Sequence, residues 1–286
     1  MKAWDVVRLG ISYLVLIVAA IIAVFPIYYI IITSLSDVPT IASISVNGLI
    51  PQPRSLTLNA YKGILFTKFF QGTGFFDWLR NSLILAGSTV AVSVLLAFLS
   101  GVALSRLNVP GKRALMITVY VLTFFPMTVT VLPLYLMFAT LHLINTYYGL
   151  IIAYSSGTSI YGAYLVKLFV DSIPKEYEEA AMIDGLSRLG AFFRILLPLS
   201  KPVLAFIGLL AFMGAYTDYA LANVFITSGN MWTLTLGMWY LSFTNRSTLY
   251  NVFAAFAVLM GIPIMAVFLA FQRYLTRMYT MSGVKG

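Results

Sequence analysis

The chain has 286 residues, 60% hydrophobic and 9% charged, with a mean hydropathy of +0.93. Soluble domains carry roughly 25% charged residues, and several apolar runs of about 20 residues read as a polytopic helical membrane protein, not a barrel of short alternating strands. Cysteine is absent and His142 is the single histidine, which excludes a disulfide framework, a thiol nucleophile and Cys- or His-based metal sites. The net charge of +9 is scattered over the ends of apolar runs, a topology signal and not a nucleic-acid patch.

In chain order, a short polar start carries Lys2 and Arg8, and a first span covers about residues 10–33 with Pro26 near its far end. That run is too long for a signal-peptide core and reads as a retained anchor. Residues 34–78 form a long external segment broken by Pro39, Pro51 and Pro53, and its later run GILFTKFFQGTGFFDWL suggests a short interfacial helix. The second span, about 81–104, ends before the tight turn at Pro110-Gly111. The third, about 114–139, contains Pro126 and Pro133, and the fourth, about 147–170, has the polar centre Ser155 to Ser159. A fifth span at about 202–222 holds Asp218, an external loop follows at about 223–248, and a sixth span covers about 249–271. The whole is expected to be all-α, a single domain of six transmembrane helices.

Six spans put both termini on one side. Arg54, Lys62, Lys68, Arg80 and Arg246 fall on the other side, and the remaining thirteen of the eighteen basic residues lie with the termini. By the positive-inside rule that side is cytoplasmic, so the protein is expected as a multi-pass cell-membrane protein with cytoplasmic N- and C-termini.

Between the fourth and fifth spans lies a polar insert, Ile173 to Lys201, that carries four of the nine acidic residues, Glu176, Glu178, Glu179 and Asp184. Pro174 suits a helix start, with Asp171 or Ser172 as the cap. The glutamates favour the positive end of the helix dipole. Gly185 offers a helix stop, and Ser187 can cap a second short helix running to Leu197 and stopped by Pro198. Two short helices at the cytoplasmic surface are therefore expected. Ala180 and Ala181 lack bulk, which lets a partner approach closely, while Leu186, Phe192, Phe193, Leu196 and Leu197 supply an apolar face to seat the second helix. The competing reading is an amphipathic surface helix lying on lipid, which the acids disfavour because the inner leaflet is itself negative.

Glu179-Ala180-Ala181, three residues, Gly185, nine residues, then Ile195-x-Leu197-Pro198 resembles the EAA loop of permease subunits in binding-protein-dependent ABC importers. The similarity extends over nearly the whole chain and points to the carbohydrate branch, closest to its maltose-type second permease. Asn81-Ser82, the run Ala103 to Arg106 before Pro110-Gly111, and the terminal Gly283-Val284-Lys285-Gly286 all carry it. Ser100 to Ala103 departs from it, since the family often has a tyrosine before the alanine.

The resemblance implies a type I importer fold and a pore shared with a second permease subunit, with which this chain forms a heterodimer. It implies an ATPase subunit dimer in the cytoplasm that binds ATP and Mg, and an extracytoplasmic sugar-binding protein that delivers a maltose-, trehalose- or oligosaccharide-class cargo. Glu179, Ala180, Ala181, Asp184, Gly185, Ile195, Leu197 and Pro198 would couple to the ATPase, and Gly283, Val284, Lys285 and Gly286 would reach between its subunits. The chain itself would be no enzyme and bind no cofactor; it has no glycine-rich loop ending in Lys-Ser/Thr.

Asp218, Ser155, Ser156, Ser159 and Pro126 are candidates for the substrate path, against the competing readings of helix packing, pairing and a static kink. Phe243, Asn245 and Arg246 are candidates for contact with the binding protein, with Trp232 and Tyr240 nearby; a belt of interfacial aromatics is the alternative. Other functions remain open: an importer for another solute such as glycerol phosphate, an amino acid or a metal, an ion-coupled secondary transporter, or an intramembrane hydrolase. A secondary transporter usually needs several intramembrane charges, and a hydrolase a nucleophile with a paired base. A reporter fused after Asp184 is expected to read cytoplasmic in whole cells; an external reading would overturn the topology.

Overall fold

The computed structural model describes residues 3–36, 56–122, 127–244 and 250–282, which are helical and contain no strand beyond an isolated bridge between Ser36 and Leu56. Two units emerge: Met1–Phe69 with Met238–Ile262, and Phe70–Gly237 with Pro263–Gly286.

In the first unit, α1 (Ala3–Ser34) starts well before the expected span, because the polar start continues the helix. Its end is tied to α2 (Asn59–Phe66) and to the beginning of α13 (Tyr250–Ser282). Ser34 Oγ donates to the Ile31 carbonyl and shares a 2.6 Å bond with the Tyr61 hydroxyl. The Leu35 carbonyl accepts from the Thr57 N–H at 2.8 Å, and Asn251 Nδ2 donates to the Ser36 carbonyl at 3.1 Å. The short helix expected late in the first external segment therefore lies earlier, at Asn59–Phe66, and the later aromatics open the next long helix.

The second unit is built on α3 (Phe75–Arg106), α6 (Tyr147–Asp171) and α10 (Lys201–Thr217). α3 begins six residues before the expected start because the Asp77 carboxylate accepts from the Gly74 N–H at 3.0 Å, closing the first turn, while Trp78 Nε1 donates to Thr73 Oγ1 at 2.9 Å. Ala97, Phe98 and Val102 of α3 form one buried cluster with Val166 and Val170 of α6 and Val203 and Ile207 of α10. Small residues permit the approach. A Cβ on Gly101 would lie 2.5 Å from Val166 Cβ, and one on Gly162 would lie 2.7 Å from Ala97 Cβ. Close packing of this kind holds membrane bundles together, where apolar side chains gain little by leaving lipid.

The third expected span is described as two helices, α4 (Lys112–Leu122) and α5 (Met127–Thr140); Pro133 lies inside α5, and Pro126 lies outside the described residues. α10 stops at Thr217, five residues short of the expected end, and α11 (Ala220–Phe225) follows. Much of the segment expected as an external loop is helical, with α12 at Leu234–Thr244. Part of its apolar content is buried: Ile226, Met231, Leu234 and Leu236. α13 continues to Ser282, beyond the expected end near residue 271.

By length and apolarity the described helices that can each cross a bilayer are the Leu9–Ser34 part of α1, α3 and the Tyr250–Tyr274 part of α13, with Arg188–Leu199 and Lys201–Thr217 as a fourth, bent by 68°. α6 has 25 residues, enough to span, but its serine-, glycine- and threonine-rich centre dilutes its hydropathy. Substituting Gly101 by Leu is expected to overpack the α3–α6 contact and cost about 1–3 kcal/mol. The check is a lower midpoint of thermal unfolding for the detergent-solubilised protein; an unchanged midpoint would mean that the close approach is not required.

Candidate functional site

The polar insert folds as two short helical pieces around a tight turn. α7 (Glu176–Ile183) has Glu176, Glu178 and Glu179 in its first turn, where they face the positive end of its dipole. The expected caps do not serve. Lys175 occupies the cap position without a side-chain bond. Ser172 Oγ instead donates back to the Phe169 carbonyl, and Asp171 is engaged by Lys167 and Ser105.

The stop at Gly185 follows its physics. Its φ of +92° is open to glycine and strained for other residues. Gly185 N–H donates to the Met182 carbonyl at 3.1 Å and Leu186 N–H to the Ala181 carbonyl at 3.0 Å, the paired bonds of a Schellman ending. Ser187 Oγ then accepts from the Gly190 N–H at 3.1 Å and caps α8 (Arg188–Ala191).

Beyond α8 the chain does not stop at Pro198 as expected. A π turn (Phe192–Leu196) leads into α9 (Leu197–Leu199), and the 68° bend falls at Ser200, before α10. A π turn and two prolines without N–H groups, Pro198 and Pro202, account for the break. Leu196 is buried in the bundle core, with Phe192 and Leu197 packed against it. Phe193 points outward, 58% exposed, and meets Phe192 edge-on. Ile195 is half-buried and Pro198 exposed. Ala181 is buried, so of the two alanines expected on a docking face only Ala180 is exposed, together with Glu179, Asp184 and Gly185.

One anchor was not singled out from the sequence. Arg106, the last residue of α3, donates from Nε to Glu178 Oε1 at 2.6 Å and from Nη2 to the Ile173 carbonyl at 3.0 Å. Both side chains of the ion pair are largely buried, 12% and 17% exposed. Ser105 beside it donates to Asp171 Oδ1 at 2.6 Å, and Lys167 pairs with the same carboxylate. Burial pushes the Asp171 carboxyl up, but the Lys167 and Ser105 hydrogen bonds and the charges of Lys167 and Arg106 outweigh it, and the net shift is downward. This pairing therefore stabilises fully above the ordinary value of 3.8 and is lost as pH falls through the lower folded value. The signal of Arg106 in the sequence is a basic residue ending an apolar run opposite an acidic insert.

At the other end of α3, Asn81 Nδ2 donates to the Asn230 and Trp232 carbonyls at 2.8 and 2.9 Å, and its Oδ1 accepts from the Tyr147 hydroxyl at 2.7 Å. Ser82 Oγ accepts from the Leu234 N–H at 2.9 Å. Trp232, a candidate contact for another protein, stacks on Phe70 with ring centroids 3.9 Å apart. Phe243 is 68% exposed, whereas Asn245, Arg246 and the tail Gly283, Val284, Lys285 and Gly286 lie outside the described residues.

The path candidates divide. Asp218 is not inside α10: it follows that helix in extended backbone, and its Oδ2 accepts from the Tyr154 hydroxyl at 2.8 Å and from the Leu221 and Ala222 N–H groups at 3.0 and 3.1 Å. The carboxylate caps α11, because the short helix needs an acceptor at its start. Ser155 and Ser159 are buried in the packing, with Ser159 Oγ bonded to the Ser155 carbonyl; Ser156 is exposed. His142, the single histidine, is exposed with a φ of +55°.

Residues 93–280 match the family described as "Binding-protein-dependent transport system inner membrane component". The chain is 30% identical to the galactooligosaccharides transport system permease protein GanQ of Bacillus subtilis (strain 168), over 100% of this chain and 99% of that one. It is 32% identical to the maltose/maltodextrin transport system permease protein MalG of Escherichia coli (strain K12), over 98% and 96% of the two chains. Its fold resembles a chain in the crystal structure of a bacterial ABC transporter involved in the import of the acidic polysaccharide alginate, with a TM-score of 0.78 and 23% identity, covering 96% of this chain and 99% of the other. A membrane bundle with this family match over most of its length belongs to the inner membrane components of binding-protein-dependent transport systems.

Proposed function

We propose that this chain is one permease subunit of an ATP-driven importer for a sugar of the maltose, trehalose or oligosaccharide class, and that the insert at 173–201 couples it to a cytoplasmic ATPase. The observation that carries the coupling is an exposed apolar surface on a charged element. Ile183 is 86% exposed, Leu189 71% and Tyr177 59%, beside exposed Glu179 and Asp184. Apolar groups rimmed by charge mark a protein contact, and three glutamates in the first turn of α7 disfavour an anionic bilayer as the cover. The sugar class is supported by the relatives named for galactooligosaccharides and for maltose and maltodextrin.

In this reading two permease subunits, of which this is one, enclose the path, and a binding protein outside the membrane delivers the sugar. ATP and Mg act on the partner ATPase; this chain contributes no catalytic group. Glu179, Ala180, Asp184 and Gly185 form the contact face. Ala181, Ile195, Leu197 and Pro198 belong to the same element, Ala181 and the half-buried pair seating it on the bundle. The tail at Gly283, Val284, Lys285 and Gly286 is a second contact with the ATPase, and Phe243, Asn245 and Arg246 face the binding protein. Of the path candidates, Ser156 retains an exposed hydroxyl-bearing position, Pro126 remains a candidate for a gating kink, and Asp218, Ser155 and Ser159 support the walls. Both termini are cytoplasmic. Moving a two-state pore from 1:99 to 99:1 takes about 5.5 kcal/mol of differential binding, a load that ATP and the loaded binding protein share.

Gly185→Trp is expected to leave the subunit in the membrane, since a Cβ there meets nothing within 4 Å, yet to abolish most sugar uptake by blocking the contact and straining the turn by about 1–2 kcal/mol. Wild-type uptake at normal expression would sink the docking reading. Glu178→Arg is expected to lower uptake at least severalfold through repulsion from Arg106. The exchange of both charges, Arg106→Glu with Glu178→Arg, is expected to restore part of it, measured as sugar moved per ATP hydrolysed by the reconstituted transporter. No recovery in the exchange would show that the pair does not hold the insert.

A further inference from the structure

We propose that the groove between α4 and α6 seats the headgroup of an anionic glycerophospholipid, with Lys112, Arg113 and Lys167 around its phosphate. The groove has a volume of about 560 Å³. Its basic end is formed by Lys112 and Arg113 in the first turn of α4 and by Lys167 near the end of α6. None of the residues lining it is acidic; the nearest acid along α6, Asp171, pairs with Lys167 from one turn further on. Two cations at the positive end of a helix dipole repel it, and α4 has no acid in its first turn to offset them. An anion supplied from outside meets that demand.

The chemistry along α4 selects an amphiphile over free phosphate. Met116 and Ile117 stand four residues beyond Lys112 and Arg113 on the same face, about 6 Å further along the axis. Tyr120 follows another turn on, with its ring centroid 6.4 Å from that of Tyr164. Charge at one end and an apolar, aromatic wall above it match a headgroup with the first part of its acyl chains. Basic pockets between helices at the cytoplasmic face bind anionic headgroups in this manner. The groove lies at the same end of α3 and α6 as the polar insert, the end that the charge distribution assigns to the cytoplasm, and the proposal does not depend on the insert's role in coupling.

The test is native mass spectrometry of the assembled transporter in detergent, given equimolar dioleoyl phosphatidylglycerol and dioleoyl phosphatidylcholine. The wild type is expected to retain phosphatidylglycerol preferentially. Lys112→Gln with Arg113→Gln is expected to lower that preference about 30-fold at this site, each basic side chain contributing roughly fivefold. Lys62→Gln with Lys68→Gln, neither of which lines the groove, is expected to leave it unchanged, and so is the charge-keeping pair Lys112→Arg with Arg113→Lys. An unaltered ratio in the glutamine pair, or loss of the ratio in the charge-keeping pair, overturns the proposal. Displacement of the lipid by millimolar glycerol 1-phosphate would reassign the groove to a free phosphate ester. Cross-linking of a cysteine placed at Ile117, in a chain that has none, to the second permease would make the groove a subunit interface.

Discussion

The arrangement of the insert depends on the guanidinium of Arg106. It holds a carboxylate of α7 and the carbonyl that precedes it, so the end of α3 fixes the place where α7 begins. α7 gains little hold from burial. It is eight residues long, below the length at which a helix is stable in water, and it buries only Ala181. A planar fork with donors in fixed directions suits this task better than an ammonium, because it engages two acceptors at once. Hydrogen bonds to a charged group contribute about 1.5–3 kcal/mol each, more than the roughly 0.8 kcal/mol gained by burying one methyl-sized group.

That anchor works because the helix carrying it is itself immobilised. Gly101 sits one turn before Ser105 and lets α6 approach until Val166 fills the space of a side chain. Ala97, Phe98 and Val102 then share their core with α10, the helix that follows the insert. The insert thus leaves from α6 and returns through Leu196 to α10, with both neighbours packed on α3. Its polar contacts and its apolar seat converge on the same helix.

Much of this was legible locally. Gly185 as a left-handed stop and Ser187 as a cap follow from rules that involve a few neighbouring residues, and both hold in the structure. The long apolar runs marked the bundle, although two of their ends moved where a polar side chain found a nearby partner. Asp77 lengthened α3 through the Gly74 N–H, and Asp218 ended α10 by turning to α11. At Asp218 the apolar run contains a helix break that periodicity does not display, and the carboxylate serves the pairing that was one of its two readings. The pairs that decide the site were beyond such reading. Glu178 meets Arg106 across 72 positions and Asn81 meets Asn230 across 149, and no local pattern brings those residues together. Phe193 shows the limit of apolar patterning on a short element, since a π turn shifts the face that a regular helix would have buried.

The two long-range anchors share a helix, and this has a mechanical consequence. Asn81 holds the segment before α12 near one end of α3, and Arg106 holds the insert at the other, about 38 Å apart at the helical rise. α3 contains no proline, and kinks in long helices arise mainly at prolines, π turns or inserted side chains. The bend is placed elsewhere, at Ser200 between the insert and α10. The ties at α7 and around Trp232 are thus joined by one unbroken helix, whereas the connection from the insert to α10 passes through the bend.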